Sequence, residues 1–312
     1  MGELFSLFAV YITIFLFGMT VMRTGLVNLS QDRLKVTLMK MTSTPWKGLL
    51  VGTIVTAILQ SSSAVMVMTV GLVAAGYLTF RQSIGIILGT NIGTCFTTEL
   101  IAFNITSAVI PLLVIGVILL NTRKHIAYCL GCVSFGLGCI FVAMQGLEKL
   151  AYPIASIPTA YNFLQLTNEN NLIAIAVGAV LSALIQSSTA TTAIAMGFMN
   201  DQVLALPAGI GIILGANIGT CLTAFLASVG ASRPAKLVAF AHIWLNIIGV
   251  LVFFPFIGWL GTVSASLTTI PNLQLAHAGT IFNIISSLAV LPFVALFANL
   301  INTLHGKEQF RV

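Results

Sequence analysis

The sequence predicts an all-α polytopic membrane protein built from two inverted repeats, each with a re-entrant helical hairpin and an interrupted transmembrane helix. Three observations carry that expectation. The chain of 312 residues is 58% hydrophobic and only 6% charged, whereas an ordinary soluble protein is about 25% charged. Residues 48–80 and 202–232 hold no charge at all. Two composite motifs also recur at one offset. Gln60-Ser61-Ser62-Ser63-Ala64 and Gly89-Thr90-Asn91-Ile92-Gly93-Thr94-Cys95 return 126 residues later as Gln186-Ser187-Ser188-Thr189-Ala190 and Gly215-Ala216-Asn217-Ile218-Gly219-Thr220-Cys221. Identical internal spacing marks an internal duplication.

Taken in order, residues 4–22 are free of charge and as a helix reach about 28 Å, enough for the ~30 Å hydrocarbon core. Glu3 stands where a signal peptide would be basic, so this stretch is expected to be a retained span. Arg23, Arg33, Lys35, Lys40 and Lys47 follow against Asp32, and that density of positive charge marks the cytoplasmic side. The net charge of +6 is thus an orientation signal and gives no reason to expect nucleic acid.

Residues 48–78 form an uncharged run centred on the first Gln-Ser-Ser motif. As one helix it would be about 46 Å long, too long for the core, and residues 172–200 repeat the pattern. A tilted span and a re-entrant hairpin compete here. With two hairpins, residues 82–103, 107–121, 125–147, 203–229, 237–257 and 275–301 cross in turn. Twelve of the thirteen Lys and Arg are then cytoplasmic and only Lys149 is outside; two full spans would put ten inside and three outside. The hairpin path places the N-terminus outside, the C-terminus at Lys307 and Arg311 inside, and an external link over residues 148–171. Three crossings separate the hairpins, so the second copy is upside down, and residues 1–147 and 148–312 become the two halves of one membrane domain. Inverted repeats meeting at the midplane are a recurring plan of secondary transporters.

The paired glycines around Asn91 and Asn217 point to breaks in the spanning helices, where free N–H groups suit an anion and free carbonyls a hard cation. Gln60, Ser61, Ser62, Ser63, Thr90, Asn91, Thr94, Gln186, Ser187, Ser188, Thr189, Asn217, Thr220 and Thr223 add neutral oxygens and donors. Neither motif contains Lys or Arg, so an anion held there calls for helix dipoles and co-bound sodium. His242 and Asn246 share one helix face; a substrate contact and a helix-linking hydrogen bond both fit them, and His277 and Asn283 follow in the last span. Glu99 and Asp201 read as solvated caps near the membrane edges. Cys95, Cys129, Cys132, Cys139 and Cys221 read as small apolar packing residues.

These motifs resemble those of the sodium–phosphate cotransporters, the type II group and its short bacterial relatives. The likeness covers residues 48–290 and includes the His-x-x-x-Asn of His242 and Asn246. It implies sodium-coupled symport of inorganic phosphate by alternating access, in a bacterial plasma membrane, with no enzymatic activity. Phosphate contacts are then expected at Gln60, Ser61, Ser62, Ser63, Asn91, Gln186, Ser187, Ser188, Thr189 and Asn217. Sodium is expected at Gln60, Gln186, Ser187, Ser188, Thr94, Thr220 and Thr223. One departure is that the first repeat reads Glu99-Leu100-Ile101-Ala102-Phe103-Asn104, with no counterpart of His242. Another small oxyanion, a passive anion channel and homo-oligomerisation stay open. An intramembrane serine hydrolase using His242 or His277 is the rival from another class, but no motif sets a base beside the serines.

Overall fold

The computed structural model describes residues 2–30, 37–38, 42, 44–103 and 106–305. Asp32, Arg33, Lys35, Lys40, Asn104, Lys307 and Arg311 lie outside the described residues. Within them the chain is helical and forms no strand. The helices are α1 (Gly2–Ser30), α2 (Pro45–Leu59), α3 (Ser62–Ala74), α4 (Phe80–Ala102), α5 (Val109–Leu120), α6 (His125–Ala155) and α7 (Pro158–Glu169). They continue as α8 (Asn171–Ile185), α9 (Ser188–Asn200), α10 (Leu206–Ser228), α11 (Arg233–Phe253), α12 (Ile257–Leu267), α13 (Pro271–Val290) and α14 (Val294–His305). Proline opens α2, α7, α10, α11 and α13, where the first helical N–H has no partner to lose. Six segments among the described residues are long and apolar enough to cross a membrane, or seven if the bent pair α7–α8 is one span. Two of the six join helices across proline-containing 3-10 turns, α11 with α12 and α13 with α14.

The duplication extends to element boundaries. Adding 126 to α2, α3 and α4 gives the limits of α8, α9 and α10. Glycines set the packing. On α2, Gly48 lies against Gly85 of α4, and Gly52 against Ile86 and Gly89; Gly93 meets Thr53 and Thr56. Contacts advance along both helices together, so α2 and α4 run parallel. The same holds for α8 and α10, where Gly211 meets Ala174, Gly215 meets Ile175 and Ala179, and Gly219 meets Ala179 and Ser182.

That direction decides between span and hairpin. Were residues 45–74 one continuous helical rod, those 30 residues would rise about 45 Å. The connection over residues 75–79 reaches only about 20 Å, and must bring the chain back level with the start of α2. So α3 turns back on α2, and α9 on α8, as hairpins with tips at Gln60 and Gln186. The turns leaving them also match, with left-handed Gly76 (φ 76°) and Gln202 (φ 57°).

The core helices of the two repeats oppose each other. Ser287 of α13 bonds the Leu88 carbonyl, while His277 and Thr280 reach Glu99, so α13 is antiparallel to α4. Leu275 and Gly279 of the same helix face Gly209 and Ile213 of α10, so α13 is parallel to α10. Thus α4 and α10 point in opposite directions.

Two expectations need correction. The Asn motifs do not interrupt their helices: α4 and α10 are continuous through Asn91 and Asn217. Gly85, Gly89 and Gly93, like Gly211, Gly215 and Gly219, are spaced by four and form a groove that admits a neighbouring backbone. The breaks fall instead at the Gln-Ser-Ser motifs. Nor does the helix that begins at His125 end at residue 147, since α6 continues to Ala155 and α7 fills most of the link beyond it. The chain bends by 117° between α7 and α8.

Candidate functional site

At each hairpin tip a glutamine takes the left-handed conformation, Gln60 at φ 51° and ψ 35° and Gln186 at φ 55° and ψ 32°. Side chains other than Gly, Asn and Asp rarely adopt it and pay a steric penalty of about 1–2 kcal/mol. Each glutamine is followed by a serine that caps the returning helix: Ser61 Oγ accepts from Ala64 N at 3.1 Å, and Ser187 Oγ from Ala190 N at 3.2 Å. Each tip therefore joins the carbonyl end of one short helix to the N–H end of the next. Each tip thus sets free N–H groups, which suit an anion, beside free carbonyls, which suit a cation, the combination expected at the Asn motifs.

Both tips line one cavity of about 490 Å³, within the ~300–1,000 Å³ range of small-molecule sites. Gln60, Ser61, Ser62 and Ser63 form one wall, and Gln186, Ser187, Ser188 and Thr189 face them. Thr220 and Thr223 of α10 and Thr20 and Arg23 of α1 complete the polar lining. Several residues of this lining carry buried polar atoms without a hydrogen-bond partner. Gln60 donates Nε2 to the Ala57 carbonyl while its Oε1 is buried without a partner. Thr223 Oγ1 and Arg23 Nε are also buried and unpartnered. Thr220 by contrast gives its hydroxyl proton to Ala216 O at 2.7 Å and meets Ser182 Oγ at 3.0 Å. Among the described residues no three His, Cys, Asp or Glu cluster as metal ligands, so a cation here would be held by neutral oxygens.

The two glutamines are not equivalent in exposure, Gln60 being buried and Gln186 exposed. Arg23 was missed from sequence because it merged with the basic segment that follows α1; an ionisable residue within one turn of an apolar span was the available signal.

Other candidates lie elsewhere. Asn91 is buried away from the cavity and donates to Asn246 Oδ1 at 3.1 Å. Asn246 in turn donates Nδ2 to Cys221 Sγ at 3.2 Å and to His242 O at 3.0 Å. The Asn of the His-x-x-x-Asn pair thus ties α11 to both repeats. Asn246→Leu leaves the buried Asn91 amide without its acceptor and is expected to destabilise by about 1–2 kcal/mol. A lowered melting midpoint in detergent would show it, and an unmoved midpoint would refute the link. His242 is buried with Nδ1 unpartnered and does not reach the cavity. Glu99 is no free cap: its Oε1 pairs with His277 Nδ1 at 3.0 Å and accepts from Thr280 at 2.7 Å, clamping α4 to α13. Asp201 accepts from Tyr152 N at 3.2 Å, joining the end of α9 to α6. Thr94 and Asn217 line a second, much smaller cavity.

The model of the Na+/Pi-cotransporter family matches residues 14–149 and 155–270. A relative from Bacillus subtilis, the uncharacterized protein YqeW, is 37% identical over 297 residues, spanning 95% of this chain and 97% of that one. The putative inorganic phosphate export protein YjbB of Escherichia coli K12 is 28% identical over 301 residues, and the match covers 95% of this chain but 55% of YjbB, about half its length. Human sodium-dependent phosphate transport protein 2B is 43% identical over 92 residues, 28% of this chain and 13% of that protein. No solved structure matches. The chain belongs to the Na+/Pi-cotransporter family.

Proposed function

We propose that this protein carries inorganic phosphate across the membrane together with sodium, by alternating access of the cavity between the two hairpin tips. The observation that carries the reading is that both copies of the duplicated motif, 126 residues apart, line one polar cavity. The N–H ends of α3 and α9 supply anion-binding donors, Arg23 supplies the formal positive charge, and Gln60 Oε1 and Thr223 Oγ1 offer oxygens to sodium. The opposite directions of α4 and α10 support inverted repeats. The unequal exposure of Gln60 and Gln186 is what such a pair produces when one side of the cavity is open and the other closed. Neither His242 nor His277 lines the cavity, which leaves its serines without a histidine base and favours transport over hydrolysis.

The decisive measurement is uptake of labelled phosphate into proteoliposomes under an inward sodium gradient. Concentrative, sodium-dependent accumulation supports the symporter; equilibration without accumulation supports a channel; preference for sulfate or arsenate reassigns the anion. A second reading, net outward phosphate movement, is favoured by the likeness to YjbB, which is named as a phosphate export protein. Alternating access is reversible, so the same vesicles loaded with phosphate and sodium test it.

Arg23→Gln removes the formal charge from the cavity lining. A charge-assisted hydrogen bond contributes about 1.5–3 kcal/mol, and partial solvation places this one at the lower end. The KM for phosphate is expected to rise about tenfold, while Arg23→Lys retains most of the affinity. An unchanged KM in Arg23→Gln would remove Arg23 from the anion site.

A further inference from the structure

The small cavity beside the hairpin tips has the chemistry of a cation site. It measures about 20 Å³ and is lined by Thr94 and Thr98 of α4, Ser188 and Thr192 of α9, Asn217 of α10 and Asn283 of α13. That volume suits a single ion or water. What distinguishes the site is the direction of its hydrogen bonds. Thr94 Oγ1 donates to Thr90 O at 2.8 Å, Thr98 Oγ1 to Cys95 O at 2.9 Å, and Thr192 Oγ1 to Ser188 O at 2.9 Å. Each hydroxyl has one proton, and in these three it is committed to the helix backbone. Both amides behave alike, with Asn217 Nδ2 donating to Ile213 O and Asn283 Nδ2 to Gly279 O, each at 3.0 Å.

The three threonine protons and one N–H of each amide are therefore committed to the helix backbone, while the oxygen lone pairs remain. Asn283 Oδ1 is the clearest case: its residue is 4% exposed, and the oxygen is buried with no hydrogen-bond partner. With side-chain oxygens outnumbering the donors left free, this set of neutral oxygens suits a hard cation better than an anion.

The symmetry-related place in the first repeat is built differently. Subtracting 126 from Thr192 gives Met66, which is fully buried, and adding 126 to Thr98 gives Ala224. There Asn91, the counterpart of Asn217, is closed off by its hydrogen bond to Asn246. The polar chamber thus occurs at one of the two equivalent positions.

We propose that this chamber is a sodium site separate from the hairpin-tip cavity and coupled to it through Ser188, which lines both. The assignment rests on the sodium-coupled reading above and adds an ion whose ligands come from α4, α9, α10 and α13. Because these helices belong to both repeats, an ion there ties the second hairpin to the first repeat's core helix.

The test is equilibrium binding of radioactive sodium to the purified full chain without phosphate. Thr98→Val, nearly isosteric, and Asn283→Leu are each expected to bind one sodium fewer per chain than wild type, while Thr98→Ser keeps it. Wild-type stoichiometry and affinity within twofold in both loss variants would show a water chamber only and overturn the proposal. Where Asn283→Leu fails to yield folded protein, Thr98→Val decides alone. Labelled-phosphate uptake by wild-type proteoliposomes is scored separately. Its absence would overturn the phosphate reading, whereas a lost sodium equivalent would still establish the site.

Discussion

Replacing Gln60 or Gln186 with leucine is expected to lower sodium-dependent phosphate uptake ten- to hundredfold with little change in thermal stability. Both side chains line the cavity, and Gln60 Oε1 is buried there with no protein partner. A hydrogen bond or ion contact to a charged ligand contributes about 1.5–3 kcal/mol, equal to that range of rates. Leucine is close in length and suffers the left-handed backbone no more than glutamine does, so the tip itself should persist. Gln60→Gly separates the two roles further. Glycine relieves the strain at φ 51°, so the protein should melt higher by the equivalent of about 1 kcal/mol while uptake falls as for leucine. Wild-type uptake in either leucine variant would remove the glutamines from the site. A lowered melt in Gln60→Gly would show the side chain to be structural.

The largest effect on folding is expected at Gly215. A Cβ there would overlap the Ile175 carbonyl oxygen and lie 2.8 Å from Ala179 N, and neither backbone atom can rotate away. In lipid, helix association depends on close van der Waals approach, because burial from water does not drive it. Gly215→Leu should therefore part α8 from α10 and cost more than about 4 kcal/mol, enough to abolish recovery of folded protein from membranes. Gly89→Leu, whose Cβ would strike the Leu49 carbonyl, should do the same in the first repeat. Gly258 has nothing within 4 Å of an added Cβ, so Gly258→Ala should be recovered at wild-type yield. A folded, monodisperse Gly215→Leu would refute the packing argument.

These residues also mark where sequence was readable. The hairpins were legible because an uncharged run centred on a polar motif was too long for one span and its charges favoured a return to the same side. The tips were legible as a pair because the duplication fixed their equivalence. The Asn motifs were misread for a physical reason: glycine beside a polar residue signals a helix break and a close helix contact equally well. The four-residue spacing of Gly85, Gly89 and Gly93 favoured the second, and the complementary Gly48 and Gly52 on α2 settle it. The contacts of Glu99 with His277, 178 residues away, and of Asn91 with Asn246, 155 away, follow from tertiary packing that no local pattern encodes. Arg23 was visible as an ionisable residue, but its place beside the tips depends on how α1 lies against the rest of the bundle.

The short hairpins also have an electrical consequence. With 15 residues, α2 reaches about 22 Å into a hydrocarbon layer of ~30 Å, and α8 is equally long. A water-filled cavity reaching the tips sits at nearly the potential of the compartment to which it opens. Membrane voltage then falls mainly across the thin seal on the closed side, a distance on the order of 10 Å by the same geometry. A net charge in the cavity feels little of the field while it enters, and most of it when the seal changes sides. In the proposed alternating-access cycle the work, about 2.3 kcal/mol per elementary charge per 100 mV, would be concentrated in the switch between access states, which would make that switch the voltage-sensing step for any cargo that is not neutral.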